Sequence, residues 1–277
     1  MIIPVEEPLR VGLIGGSGWE QLPNIAGWRR TRRPWPDAPR HGGALYRFDA
    51  DGGRRVQVYF VPRHGDDHQL APHQVPYRQN LLALKAAGVS SIVATCITGS
   101  VSRWVLPGTV VIPDQIVDFT YGRDTGPEQL VHTPMARPYC NRLRRGLYAA
   151  VRHSRIRARR RGTVTVIQGP RFSTVAEVAF FRRQGWHLVN MTQAPEAFIA
   201  RELGLCYGAI ASVTDFAPGI ARHREIASDA SVADTLAIFH RSRGVVAAAV
   251  GRWLDRDAPA LVDCGCARPF PKEYYLE

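Results

Sequence analysis

The sequence has almost no lysine, although it is strongly basic. Lys85 and Lys272 are its only lysines, so nearly all of the 36 Lys and Arg residues are arginine, and the formal net charge is +12. Such a charge raises the question of nucleic-acid or anionic-substrate binding. Because a GC-rich coding sequence explains arginine without lysine more simply, the charge alone does not predict a nucleic-acid-binding protein.

The chain also lacks a long hydrophobic run. No window approaches the roughly 18 to 20 consecutive apolar residues that a membrane-spanning helix needs. The acidic start from Met1 to Glu7 differs from the basic and then apolar pattern of a signal peptide. We therefore expect a cytoplasmic protein with no membrane partner.

Cysteine is scarce and odd in number, which argues against a secreted disulfide framework. Cys264 and Cys266 flank a single glycine, and no neighbouring pair of Cys or His stands beside them in the sequence to complete a four-ligand zinc site. The sequence therefore predicts no metal site. It leaves open whether this pair is sensitive to oxidation.

Neither a flexible linker nor an internal repeat divides the 277 residues. Short β-branched segments alternate with helical patterns, which indicates a largely parallel sheet covered by helices. We predict one α/β domain over residues 1–277, with a mixed central sheet flanked by helices, an irregular excursion with a hairpin over residues 28–53, and an extended tail over residues 255–277. The predicted strands are 11–14, 56–61, 91–95, 109–112, 163–167, 187–191 and 209–214, and the predicted helices are 76–87, 176–184, 194–203 and 231–253.

Two motifs after predicted strands are suited to an anion. The turn Gly15-Gly16-Ser17-Gly18 lets backbone amides and a hydroxyl approach a ligand closely, although a plain tight turn explains it equally well. Arg63 and His64 follow the second strand, where an arginine offers a planar fork of donors to phosphate. Open α/β sheets bind ligands at such strand ends. A surface Arg-His pair remains the alternative.

Small and hydroxyl-bearing residues follow two later strands, in Thr95-Cys96-Ile97-Thr98 and Asn190-Met191-Thr192. An oxyanion pocket uses such groups. Asp215 ends the last predicted strand, where its carboxyl group could exchange a proton with a heterocycle nitrogen or simply cap a turn.

These residues resemble the 5'-methylthioadenosine phosphorylase branch of the trimeric purine nucleoside phosphorylases. The resemblance extends from Val11 to about Leu254. Its motifs are Ile14-Gly15-Gly16-Ser17-Gly18, Arg63-His64-Gly65 with His68, Gly99-Ser100 through Pro107-Gly108 to Asp114-Gln115, His132-Thr133-Pro134-Met135, Gln168-Gly169-Pro170-Arg171-Phe172-Ser173, Asn190-Met191-Thr192 with Pro195-Glu196, and Thr214-Asp215-Phe216.

The resemblance implies roles for individual residues. Asp215, His64 and Arg63 are expected to be catalytic. The implied phosphate site consists of Ser17, Arg63, His64, Cys96, Ile97 and Thr192, and the implied nucleoside site of Phe172, Asn190, Met191, Asp215, Ala217, His132, Val232 and Leu236. His132 would reach a neighbouring subunit's site in a homotrimer. The resemblance implies inorganic phosphate as co-substrate, with no metal and no organic cofactor.

Several positions depart from the family's pattern. Cys96 and Ile97 stand where the family usually has Thr and a small residue, and a thiol is a poorer donor than a hydroxyl. Ala217 replaces a second carboxylate of the adenine-specific members, so a preference for 6-aminopurines depends on Asp215 alone. Gln193 is a smaller departure with no evident meaning in the sequence. These changes predict low phosphate affinity or a reshaped pocket.

The predicted function is phosphate-dependent cleavage of a 5'-modified 6-aminopurine nucleoside to free purine and sugar 1-phosphate. Alternatives remain open: a 6-oxopurine (methylthioinosine or inosine) phosphorylase, a specialised paralogue of secondary metabolism, a nucleoside hydrolase, or a non-catalytic nucleoside- or nucleic-acid-binding protein. We expect small-molecule partners rather than nucleic acid.

Overall fold

The computed structural model describes residues 8–19, 28–31, 46–50, 56–123, 132–154, 156–220, 229–256, 258 and 264–268, with side chains for all of these except 28–31, 46–50 and 229–236. The strands are β1 (Leu9–Gly15), β2 (Trp28–Thr31), β3 (Tyr46–Ala50), β4 (Val56–Pro62), β5 (Ser91–Ser100), β6 (Val110–Val111), β7 (Gln115–Phe119), β8 (Ala158–Arg159), β9 (Thr163–Ile167), β10 (Leu188–Asn190) and β11 (Cys206–Phe216). The helices are α1 (Tyr77–Ala86), α2 (Asn141–Arg152), α3 (Val175–Arg183), α4 (Gln193–Glu202) and α5 (Asp229–Arg256).

All these strands join one mixed sheet. Its main path runs β2-β3-β4-β1-β5-β10-β9-β7, while β11 pairs with β5 and β6, and β6 also pairs with β8. The centre is parallel, since β5 runs parallel to both β1 and β11. β10 is antiparallel to β5, and β2 and β3 form the predicted antiparallel hairpin.

Helices cover both faces of the sheet, because successive residues of a strand point to opposite faces. On one face Leu13 of β1 belongs to a buried cluster with Leu143 and Trp253 of α2 and α5. On the other, Ile14 belongs to a second cluster with Leu81 and Ala197 of α1 and α4. This arrangement confirms the predicted α/β class with a mixed central sheet flanked by helices.

The structure corrects several predicted elements. β5 continues to Ser100, so Cys96 and Ile97 lie within a strand rather than beyond its end. Helix α2 and the short strands β7 and β8 were not predicted from the sequence. None of the helices in the described part of the chain is long and apolar enough to cross a membrane.

The Cys264-Gly265-Cys266 segment is not isolated, contrary to the argument from sequence. The sulfur atoms of Cys140, Cys206, Cys264 and Cys266 all lie within 4.8 Å of one another. Cys140 precedes α2 and Cys206 begins β11. The sequence did not predict this cluster, because its members are far apart along the chain.

Candidate active site

One cavity of about 600 Å³ lies where β1, β4, β10 and β11 end beside the last residues of β5. It brings together most of the residues that the sequence predicts. From the predicted phosphate site it is lined by Ser17, Arg63, His64, Cys96, Ile97 and Thr192, and from the predicted nucleoside site by Phe172, Asn190, Met191, Asp215 and Ala217. The two predicted groups therefore share a single cavity.

Arg63 is held in a fixed orientation at one end of this cavity. Its side chain is buried, and its Nε and Nη2 atoms donate to the Glu196 carboxylate at 2.7 and 2.8 Å. Nη1 donates to the carbonyl oxygen of Thr95 at 3.0 Å. A guanidinium has five N–H donors, so these three bonds leave one N–H on each terminal nitrogen for an anion.

Glu196 stabilises the charge of Arg63. Burial opposes the charge, but the attraction and hydrogen bonds of Glu196 outweigh it, so the pKa of Arg63 is raised. The Tyr207 hydroxyl donates to the same carboxylate at 2.7 Å. Glu196 lies in one of the family motifs but was not predicted as a site residue, although a glutamate in an apolar helical segment is a signal for a buried ion pair.

His64 is oriented by a backbone carbonyl. Its Nδ1 lies 2.8 Å from the carbonyl oxygen of Leu70, and its ring stacks on His68 with centroids 4.6 Å apart. Burial and the neighbouring Arg63 charge lower the pKa of His64 to about 4. The imidazole is therefore neutral near pH 7.

The glycine turn and Thr192 complete this end of the cavity. Gly16 has no room for a side chain, because a Cβ atom there would lie 2.6 Å from the Thr95 carbonyl oxygen and 2.7 Å from Arg63 Nη1. Ser17 follows, half-buried, on the cavity wall. Thr192 precedes α4, is buried, and does not cap that helix with its side chain. The Ser17 and Thr192 side chains thus line the same cavity as Arg63.

Two departures from the family's pattern contact each other. The Gln193 amide donates to the Cys96 sulfur at 2.9 Å, and its oxygen accepts from the Tyr139 hydroxyl. The Cys96 thiol donates to the carbonyl oxygen of Ile210 at 3.8 Å. Burial raises the pKa of Cys96 to about 11, so the thiol keeps its proton. Gln193 therefore has a structural role, as a hydrogen-bond partner of Cys96, that the sequence did not indicate.

Asp215 lies at the other end of the cavity, beside a β-bulge. The pairing of β11 with β5 shifts register between Val213 and Asp215, and a bulge of this kind re-aims side chains. The Thr214 hydroxyl donates to Asp215 Oδ1 at 2.7 Å. Burial raises the pKa of Asp215, and the Thr214 hydrogen bond opposes that rise in part.

Gly99 keeps space open beside Asp215. A Cβ atom at Gly99 would lie 3.5 Å from Asp215 Oδ2 and 3.8 Å from the Ala217 side chain. Phe172 stands at the rim with 79% of its surface exposed. Phe172 and Asp215 line the same cavity, where an aromatic ring and a carboxyl group are suited to a heterocyclic base.

Two buried polar groups on the cavity wall are poorly satisfied among the described residues: the Ser173 hydroxyl has no hydrogen-bond partner, and the Asn190 amide has only the Cys96 thiol, a weak one. Because unpaired buried polar groups are costly, they indicate that a polar ligand completes the site. Ser173 was missed as a site residue, although it lies in a motif that the sequence analysis quoted.

Three predicted residues are not placed in the cavity. His132 is exposed and does not line it. Val232 and Leu236 lie on α5, but their side chains fall outside the described residues. Their predicted roles stay predictions.

Comparison with known sequences agrees with the geometry of the cavity. The family model described as the phosphorylase superfamily matches residues 10–249. S-methyl-5'-thioadenosine phosphorylase of Mycolicibacterium smegmatis is 46% identical over 84% of this chain and 86% of its own length. The enzyme of the same name from Mycobacterium tuberculosis is 44% identical over 90% of this chain and 89% of its own.

Solved structures show the same fold. Methylthioadenosine phosphorylase from Schistosoma mansoni in complex with tubercidin superposes with a TM-score of 0.75 at 31% identity, covering 89% of this chain and 90% of the other. A mutant adenosine/methylthioadenosine phosphorylase from the same organism, in complex with methylthioadenosine, gives 0.77 at 31% identity, covering 92% and 93%. The chain therefore belongs to the phosphorylase superfamily, in the methylthioadenosine phosphorylase branch that its motifs predict.

Proposed function

We propose that the protein cleaves the N-glycosidic bond of 5'-methylthioadenosine with inorganic phosphate, giving adenine and 5-methylthioribose 1-phosphate. The observation that carries this proposal is the shared cavity, which holds the Arg63 guanidinium beside Thr95 of β5 and the half-buried Asp215 carboxyl group beside Gly99, four residues further along that strand. The names of the relatives and the methylthioadenosine bound to a similar structure support it.

Phosphate binding follows from the donors around Arg63. The two remaining guanidinium N–H groups and the hydroxyls of Ser17 and Thr192 can donate to phosphate oxygens. Since the Arg63 fork is already fixed by Glu196, little side-chain entropy is lost when the anion binds. Phosphate held here attacks C1' of the ribose from the face opposite the leaving purine, so the configuration at that carbon is inverted.

Asp215 makes the purine a better leaving group. Breaking the glycosidic bond leaves electron density on the base, and a proton or strong hydrogen bond at N7 neutralises it. Because burial raises its pKa, Asp215 retains a proton to a higher pH than an exposed aspartate does. The same carboxyl group favours a base with a 6-amino group, since a carboxylate can accept a hydrogen bond from that amine.

The remaining parts of the proposal concern the whole assembly. The chemistry requires phosphate as co-substrate and no metal or organic cofactor. We place the enzyme in the cytoplasm as a homotrimer. In it, His132 of one subunit contacts the 5' substituent in the next, and Val232 and Leu236 line the apolar pocket for that group. The exposure of His132 supports this arrangement.

The test is a panel of methylthioadenosine, adenosine, methylthioinosine and inosine, assayed for base release with and without phosphate. We expect adenine from methylthioadenosine only when phosphate is present, with the sugar recovered as its 1-phosphate. The Asp215→Ala variant is the negative control, because it lacks the carboxyl group that assists the leaving purine. Free sugar formed without phosphate would indicate a hydrolase, and faster cleavage of the 6-oxo nucleosides would overturn the assigned substrate.

A further inference from the structure

Four of the five cysteines lie together at the end of the molecule opposite the cavity. Cys206 begins β11 and Asp215 lies nine residues further along the same strand, which corresponds to about 30 Å. The fifth cysteine, Cys96, lines the cavity. The cluster of Cys140, Cys206, Cys264 and Cys266 therefore plays no direct part in the proposed reaction.

The four sulfurs form one network of contacts. Cys206 interacts with each of the other three, and so does Cys266. Cys206 and Cys264 are 2.7 Å apart, and no two of the sulfurs are separated by more than 4.8 Å. Four thiolates around one zinc ion at 2.3 Å are about 3.8 Å from one another. The cluster is thus compact enough to surround a single ion.

The scaffold around the cluster holds two of its members in place. The Cys140 amide donates to the Tyr207 carbonyl oxygen at 2.8 Å, and the Cys206 amide donates to the Ser90 carbonyl oxygen at 3.0 Å. Both cysteines are buried in the cluster of apolar residues under α2 and α5. Cys264 and Cys266 are half-buried and pack against the same core.

Backbone amides donate to one of the sulfurs. The Cys140 sulfur occupies the N-cap of α2, where Ser, Thr, Asp or Asn is usual, and it accepts from the Leu143 amide at 3.5 Å. No acidic residue lies in the first turn of α2. The Arg268 amide donates to the Gly265 carbonyl oxygen at 3.4 Å, which places a cationic residue next to the two-cysteine turn. Such donors and charges favour thiolate ligands.

We infer that Cys140, Cys206, Cys264 and Cys266 bind one Zn²⁺ ion as four thiolate ligands, which fastens the C-terminal segment to the core. The four thiols release four protons on binding, so the site carries a net charge of −2. An all-sulfur, four-coordinate site in an apolar setting is typical of structural zinc. Zinc binding contributes to the stability of the fold rather than to the reaction.

The experiment measures metal content and stability on the full-length chain, purified under reducing conditions without chelator. We expect about one zinc per chain in the wild type. The C264S/C266S double variant should lose it, whereas C96S, which removes a thiol outside the cluster, should retain it. Replacing zinc by Co²⁺ should give the absorption bands of tetrahedral cobalt thiolate in the wild type and in C96S only.

Measurements of melting temperature and of turnover distinguish a structural zinc site from a site that takes part in the reaction. The double variant should melt about 5 °C or more below the wild type, while its turnover at lower temperature stays within about twofold. A chain lighter by the four hydrogens of two disulfides would overturn the proposal. So would four free thiols that take up no stoichiometric zinc after dialysis against Zn²⁺, or a different metal bound in its place.

Discussion

His64 has a single tautomer because of the bond that its Nδ1 atom makes. A carbonyl oxygen can only accept, so Nδ1 must carry the proton that it donates to Leu70. Since its pKa is lowered to about 4, the ring does not gain a second proton near neutral pH. Nε2 is therefore an acceptor, and an anion that binds it must supply a hydrogen.

This tautomer predicts that the site distinguishes phosphate from sulfate. At pH 7 phosphate carries a P–OH group that can donate to Nε2, whereas sulfate carries none and leaves two acceptors facing each other. We expect phosphate to bind at least about tenfold more tightly than sulfate, and the preference to shrink in His64→Ala. Inhibition of phosphorolysis by sulfate, measured against phosphate concentration, gives both affinities.

The neighbouring His68 is the control for this prediction, because it also lines the cavity and stacks on His64. His68→Ala should keep the preference for phosphate over sulfate, even if it weakens both. An unchanged preference in His64→Ala would show that Nε2 does not contact the anion.

The raised pKa of Asp215 predicts how activity depends on pH. The protonated form donates to the base, and it persists below the raised pKa and is lost above it. We therefore expect kcat/KM for the nucleoside to fall as pH rises through this pKa. Asp215→Asn should lack that decrease and be slower by a factor of about 10² to 10⁴.

Thr214→Val tests the cause of the shift. The Thr214 hydrogen bond opposes the rise in the pKa of Asp215, so removing it should move the decrease to higher pH. Profiles of kcat/KM at saturating phosphate provide the measurement. The same alkaline decrease in Asp215→Asn and in the wild type would assign it to another group.

At the scale of elements, the ion pair between Arg63 and Glu196 links the end of β4 to α4. It is bidentate and lies inside the cavity wall. The pair of Arg78 and Glu202 links α1 to α4 with similar geometry, at 2.9 and 3.1 Å, but does not line the cavity. The ion pair of Arg78 and Glu202 therefore serves as a control for variants of the pair of Arg63 and Glu196.

We predict that Glu196→Gln raises KM for phosphate by at least about tenfold, because the Arg63 fork loses its bidentate partner. The variant should also be destabilised by roughly 3 to 5 kcal/mol, since it leaves a buried charge without its counter-ion. Glu202→Gln should leave KM for phosphate unchanged. Steady-state kinetics at low temperature and denaturant unfolding test the two effects separately, and an equal rise of KM in both variants would contradict the prediction.

Sequence patterns predicted the strands whose side chains are apolar and buried. They missed β7, where no side chain is buried, and α2, whose helical spacing of Leu143, Leu147 and Val151 is interrupted by arginines and a glycine. They also identified the cavity residues that follow strand ends, such as Ser17 and Arg63, whereas others, such as Phe172, came from the family resemblance. What they missed depends on contacts between distant segments, such as Gln193 with Cys96.

At the scale of the whole molecule, several arginines are part of the internal structure. Besides Arg63, the guanidinium of Arg123 donates to the carbonyl oxygens of Gln168, Met191 and Ala194. Arg144 donates to those of Pro113 and Arg160, among others. The net charge of +12 therefore overstates the positive charge available to a partner.

An apolar surface lies next to the cavity. Its exposed residues come from β7, from Tyr121 just beyond it, from the turn before α3 and from α3 itself, and Phe119 and Phe180 are in ring contact. The members are Phe119, Tyr121, Phe172, Val175 and Phe180. Contiguous exposed apolar residues mark interaction sites. This surface is where we expect a second subunit of the proposed trimer to pack, with its His132 near the cavity.

Subunit complementation tests that arrangement. In the proposed trimer each site would take Asp215 from one chain and His132 from its neighbour, so two defective variants could rebuild a complete site between them. Co-expressed in equal amounts, Asp215→Ala and His132→Ala chains should form about one quarter complete sites. We expect activity at low nucleoside concentration to exceed the sum of the two variants purified separately. If the protein is a monomer, or if His132 acts within its own chain, the mixture will show only that sum, and size-exclusion chromatography with light scattering distinguishes these two cases.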